Sequence, residues 1–197
     1  MFYQLKELNA NNIYQLMAQT VIPRPIAWIV TQDEDVINIA PFSFFTPLSS
    51  NPPTVVVSIG HKSDGSQKDT YSNILKNKKC TICMVDEYNL EKMHFSSKEL
   101  PKKISEAQEF DIETKSIFES YPPAILNCTV AYACSFNQII DLNSQATIPV
   151  VLNVENIYVN DDNFTDELKR DIKFNPVARV SREYAFLGQR IKAPTID

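Results

Sequence analysis

Glycine is scarce in this sequence, with only three glycines among 197 residues, at positions 60, 65 and 188. A glycine-rich phosphate loop and a GxGxxG dinucleotide fingerprint cannot be written from them, because each motif needs several glycines within a few residues. A nucleotide-like cofactor would therefore have to bind here without a Rossmann-type turn.

Positive charge is also in short supply, since the formal net charge is −5 and the pI is about 5.1. This balance argues against nucleic acid as a partner, because binding nucleic acid requires a basic face. It leaves room for a local basic pocket that holds one phosphate. No apolar run reaches the length of a membrane span, and the N-terminus shows no signal peptide. We expect a soluble cytoplasmic protein with no membrane partner.

Cysteine and histidine are few, which limits metal and thiol chemistry. Cys80 and Cys83 lie three residues apart in a strand-like segment, so they should point to opposite faces, and no helix start nearby would lower a thiol pKa. The two histidines, His61 and His94, are far apart in the sequence. We therefore expect no metal site and four reduced cysteines that pack in the core, at positions 80, 83, 128 and 134.

Apolar, β-branched runs separated by turn signals predict a mainly β protein with short peripheral helices. Strands are predicted at 26–31, 36–40, 54–59, 80–85, 124–140 and 148–159, and helices at 11–18, 69–77 and 89–95. Pro41 is expected to end the second strand, 42–51 to be irregular, and 97–122 to be a surface excursion. We expect one domain spanning 1–197, with a barrel over about 20–160 and a tail, 161–197. The tail should carry a short helical segment, and 176–180 should pack back on the barrel.

Three segments carry the candidate chemistry: 24–28 (RPIAW), 38–46 (NIAPFSFFT) and 68–70 (KDT). The middle segment combines the end of an apolar strand with hydroxyls and a proline, so its backbone is only partly used in a ladder. The last lies at a helix start, where free N–H groups and the helix dipole favour an anion. Taken singly, each residue also has a structural interpretation: Lys68 a solvated charge, Asp69 a helix cap, Arg24 a surface residue, the phenylalanines core.

The strings PRPIAWIVT, NIAPFSFFTPLSSNPPTVVVSIG and DGSQKDTYSNI, in this order, resemble the flavin reductase-like family and in particular its flavoredoxin-like branch. The resemblance is specific over about 21–95 and weaker towards the C-terminus. One departure is visible at 33–35, where Asp-Glu-Asp stands in a hairpin turn that commonly reads Asp-Gly in relatives.

The resemblance implies an FMN-binding split β-barrel that forms a homodimer, with FMN near the subunit interface. By similarity, the flavin would be bound by Arg24, Asn38, Ala40, Pro41, Ser43, Phe44, Thr46, Lys68, Asp69 and Thr70.

The function implied is an oxidoreductase that takes electrons from NADH or NADPH through FMN and passes them to free flavin, ferric iron or another small acceptor. No side-chain acid or base is required for hydride transfer, so no catalytic residue is predicted. Two alternatives stay open: an electron-transfer protein with tightly bound FMN and no nicotinamide site, and a β-barrel that binds another ligand such as haem.

Overall fold

The computed structural model describes residues 2–143, 146–166 and 170–195. Within them the helices are α1 (Ala10–Thr20), α2 (Asp69–Asn77), α3 (Leu90–Phe95) and α4 (Glu106–Glu109). The strands are β1 (Arg24–Pro25), β2 (Ala27–Asp33), β3 (Val36–Phe42), β4 (Phe45–Ser50), β5 (Pro53–Gly60), β6 (Lys79–Met84), β7 (Thr114–Lys115), β8 (Ala124–Ile125), β9 (Val130–Ile139), β10 (Thr147–Val159), β11 (Phe164–Asp166), β12 (Asp171–Ile172), β13 (Val177–Val180) and β14 (Glu183–Phe186). No helix in these ranges is long and apolar enough to cross a membrane.

Seven strands form one antiparallel sheet in the order β3-β2-β6-β9-β10-β5-β4. Its two edge strands, β3 and β4, are consecutive in the chain and are joined only by Ser43 and Phe44. Phe42 of β3 and Phe45 of β4 lie in one buried cluster together with side chains of the five other strands. The sheet therefore curls until its two edges meet, which confirms the predicted mainly β split barrel with short helices.

The barrel strands β2 and β6 are buried on both faces over most of their length. In β2, Ile29 belongs to the cluster inside the barrel, whereas Trp28 and Val30 belong to a second cluster on its outer side. The Trp28 indole N–H donates to Ser96 Oγ at 2.9 Å, so its polar atom is satisfied in the interior. Because α3, the 105–128 segment and β13 pack on the second cluster, this cluster positions the surface beside β3.

The cysteines occupy both clusters. Cys80 lies directly opposite Cys134 in the β6–β9 ladder, inside the barrel, and Cys83 packs with Cys128 in the outer cluster. The prediction that Cys80 and Cys83 point to opposite faces is therefore confirmed. Burial raises the pKa of the Cys83 thiol well above its usual value. Among the described residues, no three His, Cys, Asp or Glu side chains are grouped to hold a metal ion.

The prediction that Pro41 ends the second strand is wrong. Pro41 lies within β3, opposite Trp28, and the strand continues to Phe42. A proline fits here because β3 is an edge strand, where a residue whose nitrogen faces away from β2 loses no ladder hydrogen bond. The segment 42–51, expected to be irregular, contains β4.

The long strand predicted over 124–140 is interrupted. Ala124 and Ile125 pair with β7, the chain then turns, and the barrel strand β9 begins only at Val130. The segment 97–122 is not simply a surface excursion either. Ser105 and Glu106 are buried, and the Ser105 hydroxyl donates to the Ile37 carbonyl on the outer edge of β3 at 2.6 Å.

The C-terminal segment packs back on the barrel, as predicted for 176–180. Its strand β13 pairs with β1, and the Val177 N–H donates to the Val85 carbonyl at 2.8 Å. The short helix expected early in the tail is not found at 170–175, where β12 is extended and pairs with β11. Residues 167–169 of that prediction lie outside the described residues.

Candidate functional site

A buried polar network lies beneath the outer edge of β3. The Asn38 amide group donates to both carboxylate oxygens of Glu106 at 3.1 Å, and its carbonyl oxygen accepts from Thr70 at 2.8 Å and from Thr31 at 3.2 Å. Asn73 in turn donates to the Thr31 hydroxyl at 3.1 Å. These bonds join β2, β3, α2 and α4, so the network sets the position of the α2 N-terminus relative to β3.

Glu106 was not predicted from the sequence. It is 6% exposed, and besides Asn38 it accepts from the backbone N–H of Ile39 at 2.9 Å. Burial raises the pKa of the Glu106 carboxyl, and its hydrogen bonds to the Ile39 N–H and to Asn38 only partly offset this. The surrounding sequence lacks hydrophobic periodicity, so it carried no signal that this carboxylate is buried.

A small pocket, here called the lysine pocket, lies at the start of α2. Two ion pairs cross it, Lys62 to Asp69 at 2.6 Å and Lys68 to Glu99 at 3.3 Å. Asp69 is not the N-cap expected from the sequence. Lys68 occupies the cap position without any side-chain cap bond, and Asp69 is the first helical residue. The pocket is lined by Asn38, Ala40, Lys62, Lys68, Asp69, Thr70, Ser96, Ser97, Lys98, Glu99, Leu100 and Glu106.

The carboxylate of Glu99 shows what the lysine pocket can bind. It accepts from the Ser63 backbone N–H at 3.1 Å, from the Ser63 hydroxyl at 2.7 Å and from the Lys68 ammonium. These contacts lower the pKa of Glu99, the Ser63 hydroxyl contributing most. An anion is therefore favoured at this position, where hydroxyl, backbone and lysine donors converge beside an uncapped helix start.

A second cavity of about 220 Å³, the central cleft, adjoins the lysine pocket at Ser97. Across it, the His94 Nδ1 lies 2.9 Å from the Tyr184 hydroxyl, and the two rings meet edge to face. Of the residues predicted from the sequence, Pro41 and Ser43 are here. The lining is Tyr14, Ile26, Pro41, Phe42, Ser43, Met93, His94, Ser97, Arg179 and Tyr184.

The predicted site residues thus divide between different parts of the surface. Asn38, Ala40, Lys68, Asp69 and Thr70 meet in the lysine pocket, which continues into the central cleft. The others, Arg24, Phe44 and Thr46, line an apolar cleft of about 450 Å³ that shares Ser43 with the central cleft.

Arg24 is not a surface residue, which corrects one structural interpretation of the sequence. It is 5% exposed, and its guanidinium donates to the carbonyls of Ala18 and Val21 and, at 3.5 Å, of Ser181. It thereby ties α1 to the C-terminal segment.

Among the lining residues of the central cleft that were not predicted are Tyr14, His94, Arg179 and Tyr184. They come from α1, α3, β13 and β14, elements far apart in the chain. No motif joins them, so sequence patterns carried no sign that they meet.

Comparison with known sequences and structures identifies relatives over nearly the whole chain. The model of the family described as flavin reductase like domain matches residues 17–182. A protein of Halalkalibacterium halodurans is 31% identical over 203 residues, covering 96% of this chain and 95% of the relative. A protein of Aquifex aeolicus is 28% identical over 188 residues, covering 93% and 94%.

Among solved structures, 2-nitrobenzoate 2-nitroreductase of Pseudomonas fluorescens superposes with a TM-score of 0.89 at 25% identity, covering 100% of this chain and 96% of that one. A Shewanella frigidimarina protein with a split barrel domain superposes with a TM-score of 0.79 at 19% identity, covering 100% of both chains. Flavoredoxin of Desulfovibrio vulgaris superposes with a TM-score of 0.72 at 18% identity, covering 88% of this chain and 91% of that one. The last two likenesses concern the fold.

Proposed function

The chain belongs to the flavin reductase-like domain family, and from this premise we propose that it is an FMN-dependent oxidoreductase that takes electrons from NADH or NADPH. The acceptor would be free flavin, ferric iron or another small molecule. The observation that carries the proposal is the junction at Ser97 of an anion-binding pocket with an aromatic-lined cleft. A phosphate tail and a planar ring require these two environments side by side.

The lysine pocket would bind the phosphate end of FMN. Its donors are the Ser63 hydroxyl and N–H, the ammonium of Lys68, and the backbone N–H groups at the start of α2. Lys98 adds a further ammonium. Within the described ranges, Lys98 forms no ion pair with a carboxylate. Since Glu99 holds the Ser63 and Lys68 donors, its carboxylate must give way when a phosphate binds.

The central cleft would hold the flavin ring against β3. In an antiparallel edge strand every second residue turns its backbone polar groups away from the sheet. The Ile39 N–H faces outward, since it bonds Glu106, so Pro41 two residues later presents its carbonyl outward and has no N–H. When bound, FMN supplies hydride and electron transfer. The chain's own residues hold the ring, and Tyr14, Tyr184 and His94 shield one side from water.

A homodimer is part of the proposal. Met17 and Val21 line the apolar cleft and are about half exposed or more. Ile22 and Leu48, within two residues of the lining residues Val21 and Thr46, are about half exposed as well. Large exposed apolar side chains grouped on one surface are typical of an interface with another protein. Two-fold dimers are the commonest arrangement in which one surface buries itself.

Absorption spectroscopy and flavin titration test the function. The purified protein should show flavin bands or acquire them with FMN, bind FMN more tightly than riboflavin, and oxidise NADH or NADPH. Equal affinity for the two flavins would remove the phosphate assignment. Reducible bound FMN without nicotinamide oxidation would identify an electron-transfer protein that receives electrons elsewhere, and a Soret band would identify a haem protein.

A further inference from the structure

Two arginines lie directly opposite each other where the C-terminal segment joins the barrel. Arg24 of β1 and Arg179 of β13 are paired residues of an antiparallel ladder. Residues in such pairs have Cβ atoms about 4.5–5.5 Å apart, and like charges there are destabilising. The Arg179 charge contributes to lowering the pKa of Arg24, after burial. The fold therefore holds two positive charges close together, which lowers the stability of the folded state.

No carboxylate offsets this charge. Throughout the described residues, neither Arg24, Arg179 nor the neighbouring Arg182 forms an ion pair. The terminal nitrogens of Arg24 donate to backbone carbonyls. Among the described residues, Arg179 donates only its Nε, to the Ser181 carbonyl at 3.2 Å, and it lies over the Tyr184 ring at 4.7 Å. Within the part of the chain that the structure describes, the terminal nitrogens of Arg179 and the whole guanidinium of exposed Arg182 are thus free to bind an anion.

Arg179 and Arg182 line a cavity of about 530 Å³, here called the arginine cleft. Tyr14 and Arg179 also line the central cleft, so one wall separates the two cavities. Among the described residues, the remaining lining is polar or small and contains no acidic residue: Gln15, Ala18, Gln19 and Ser181.

We propose that the arginine cleft binds the diphosphate of the nicotinamide dinucleotide donor, with Arg179 and Arg182 as its ligands. Guanidinium groups bind phosphate oxygens in a two-pronged geometry, and two of them match the two negative charges of a diphosphate. The Gln15 and Gln19 amides supply donors and acceptors for the ribose and adenine. With the diphosphate at Arg179, the nicotinamide enters the central cleft beside Tyr14. This inference rests on the proposed function, which places the flavin ring in that cleft.

Calorimetric titration of ADP-ribose into the FMN-loaded protein tests this proposal, because ADP-ribose keeps the diphosphate and lacks the reacting ring. The main variant is Arg182→Gln, which alters an exposed side chain outside the central cleft, and the second is Arg179→Gln. We expect each to weaken ADP-ribose binding roughly tenfold or more and to reduce its dependence on salt. Lys115→Gln removes an exposed charge elsewhere and should leave the affinity unchanged.

Unchanged ADP-ribose affinity in both arginine variants would overturn the proposal, as would a parent protein that binds FMN but no ADP-ribose. Weaker binding of 2-nitrobenzoate with unchanged ADP-ribose binding would also overturn it, and would assign the arginines to an anionic acceptor. Failure of the parent to bind FMN would instead be a failure of the proposed function.

Thermal unfolding gives a readout that is independent of any ligand. Because Arg179→Gln removes one of two opposed like charges, its Tm should equal or exceed that of the parent. A clear fall in Tm would mark Arg179 as a structural residue and would overturn its assignment to the site.

Discussion

The side chain of Asn38 lines the lysine pocket, but its amide group is bonded to other side chains of the protein. Both ends of its amide are bound inside the protein, by Glu106 on one side and by Thr31 and Thr70 on the other. Its contribution to a flavin site would therefore be to hold β3 and the start of α2 at a constant separation. The same holds for the Thr70 hydroxyl, whereas the backbone N–H groups around it belong to the uncapped helix start.

Glu106→Gln should change how stability depends on pH. The folded-state pKa of Glu106 is raised by burial, so the carboxyl's contribution to stability is fully present below the usual glutamate pKa and is lost as pH rises through the raised value. The variant cannot lose a proton there. Urea unfolding between about pH 4 and pH 8, a range that starts near the usual glutamate pKa, should show its free energy of unfolding rising relative to the parent.

The control is Glu109→Gln, which removes an exposed carboxyl from the same helix and should show no such trend. A pH-independent difference between Glu106→Gln and the parent would mean that Glu106 does not titrate within this range.

Lys68→Ala should weaken FMN binding while leaving riboflavin binding unchanged. Removing one charge-assisted hydrogen bond to phosphate lowers affinity by roughly tenfold to a hundredfold. The loss should shrink as salt rises, because screening already weakens the contact in the parent. Titration of both flavins into both proteins measures it.

Glu99→Gln is the matched companion, because it removes the carboxylate that now competes for Ser63 and Lys68. It should tighten FMN and not riboflavin. An FMN affinity unaffected by Lys68→Ala would leave Lys68 as a surface charge paired with Glu99.

At the scale of elements, the pairing of β13 with β1 brings Arg179 to the clefts, and β14 brings Tyr184. This attachment depends on a few buried contacts, of which Val177 in the outer cluster is the main apolar one. The helix α3 completes the wall through the bond between His94 and Tyr184. The central cleft is therefore a product of how the C-terminal segment docks.

Val177→Ala should loosen that docking. Deleting buried methyl groups leaves a cavity, and a loss of about 1–3 kcal/mol in the free energy of unfolding is expected. Hydrogen exchange should rise more in β13 and β14 than in the barrel strands β6 and β9. Phe186→Ala, the register partner with an exposed side chain, should show a smaller effect, and equal effects would argue against Val177 as the anchor.

For the whole molecule, the predicted homodimer can be tested on its exposed apolar surface. Leu48 lies on the edge strand β4 and is 51% exposed. Leu48→Asp places a charge in the proposed interface and should convert a dimer into a monomer by light scattering, with weaker FMN binding if the flavin lies near the interface. Tyr88→Asp, at an exposed aromatic residue outside the apolar cleft, should leave the dimer intact. A parent protein that is monomeric with FMN bound would contradict the proposal.

The sequence by itself determined the class of fold and the family. Alternating apolar runs and the turn residues between them are local patterns, so most barrel strands and the helix at 69–77 were predicted close to their observed limits. The motif-bearing segments 38–46 and 68–70 supplied most of the predicted site residues, and the structure brings five of these residues together in the lysine pocket. The local rule that a proline ends a strand failed at Pro41. An edge strand tolerates a proline, and the edge position of β3 is set by the sheet topology, which the sequence does not show.

The tertiary structure alone decided which other residues lie beside the predicted site residues. Glu106 meets Asn38 across 68 residues of chain, and Tyr184 meets His94 across 90. Arg24 and Arg179 become neighbours only because β13 returns to pair with β1. Such contacts depend on docking between distant elements. A buried carboxylate or an opposed pair of arginines leaves no periodic trace in the sequence, because its partners are set by packing rather than by spacing.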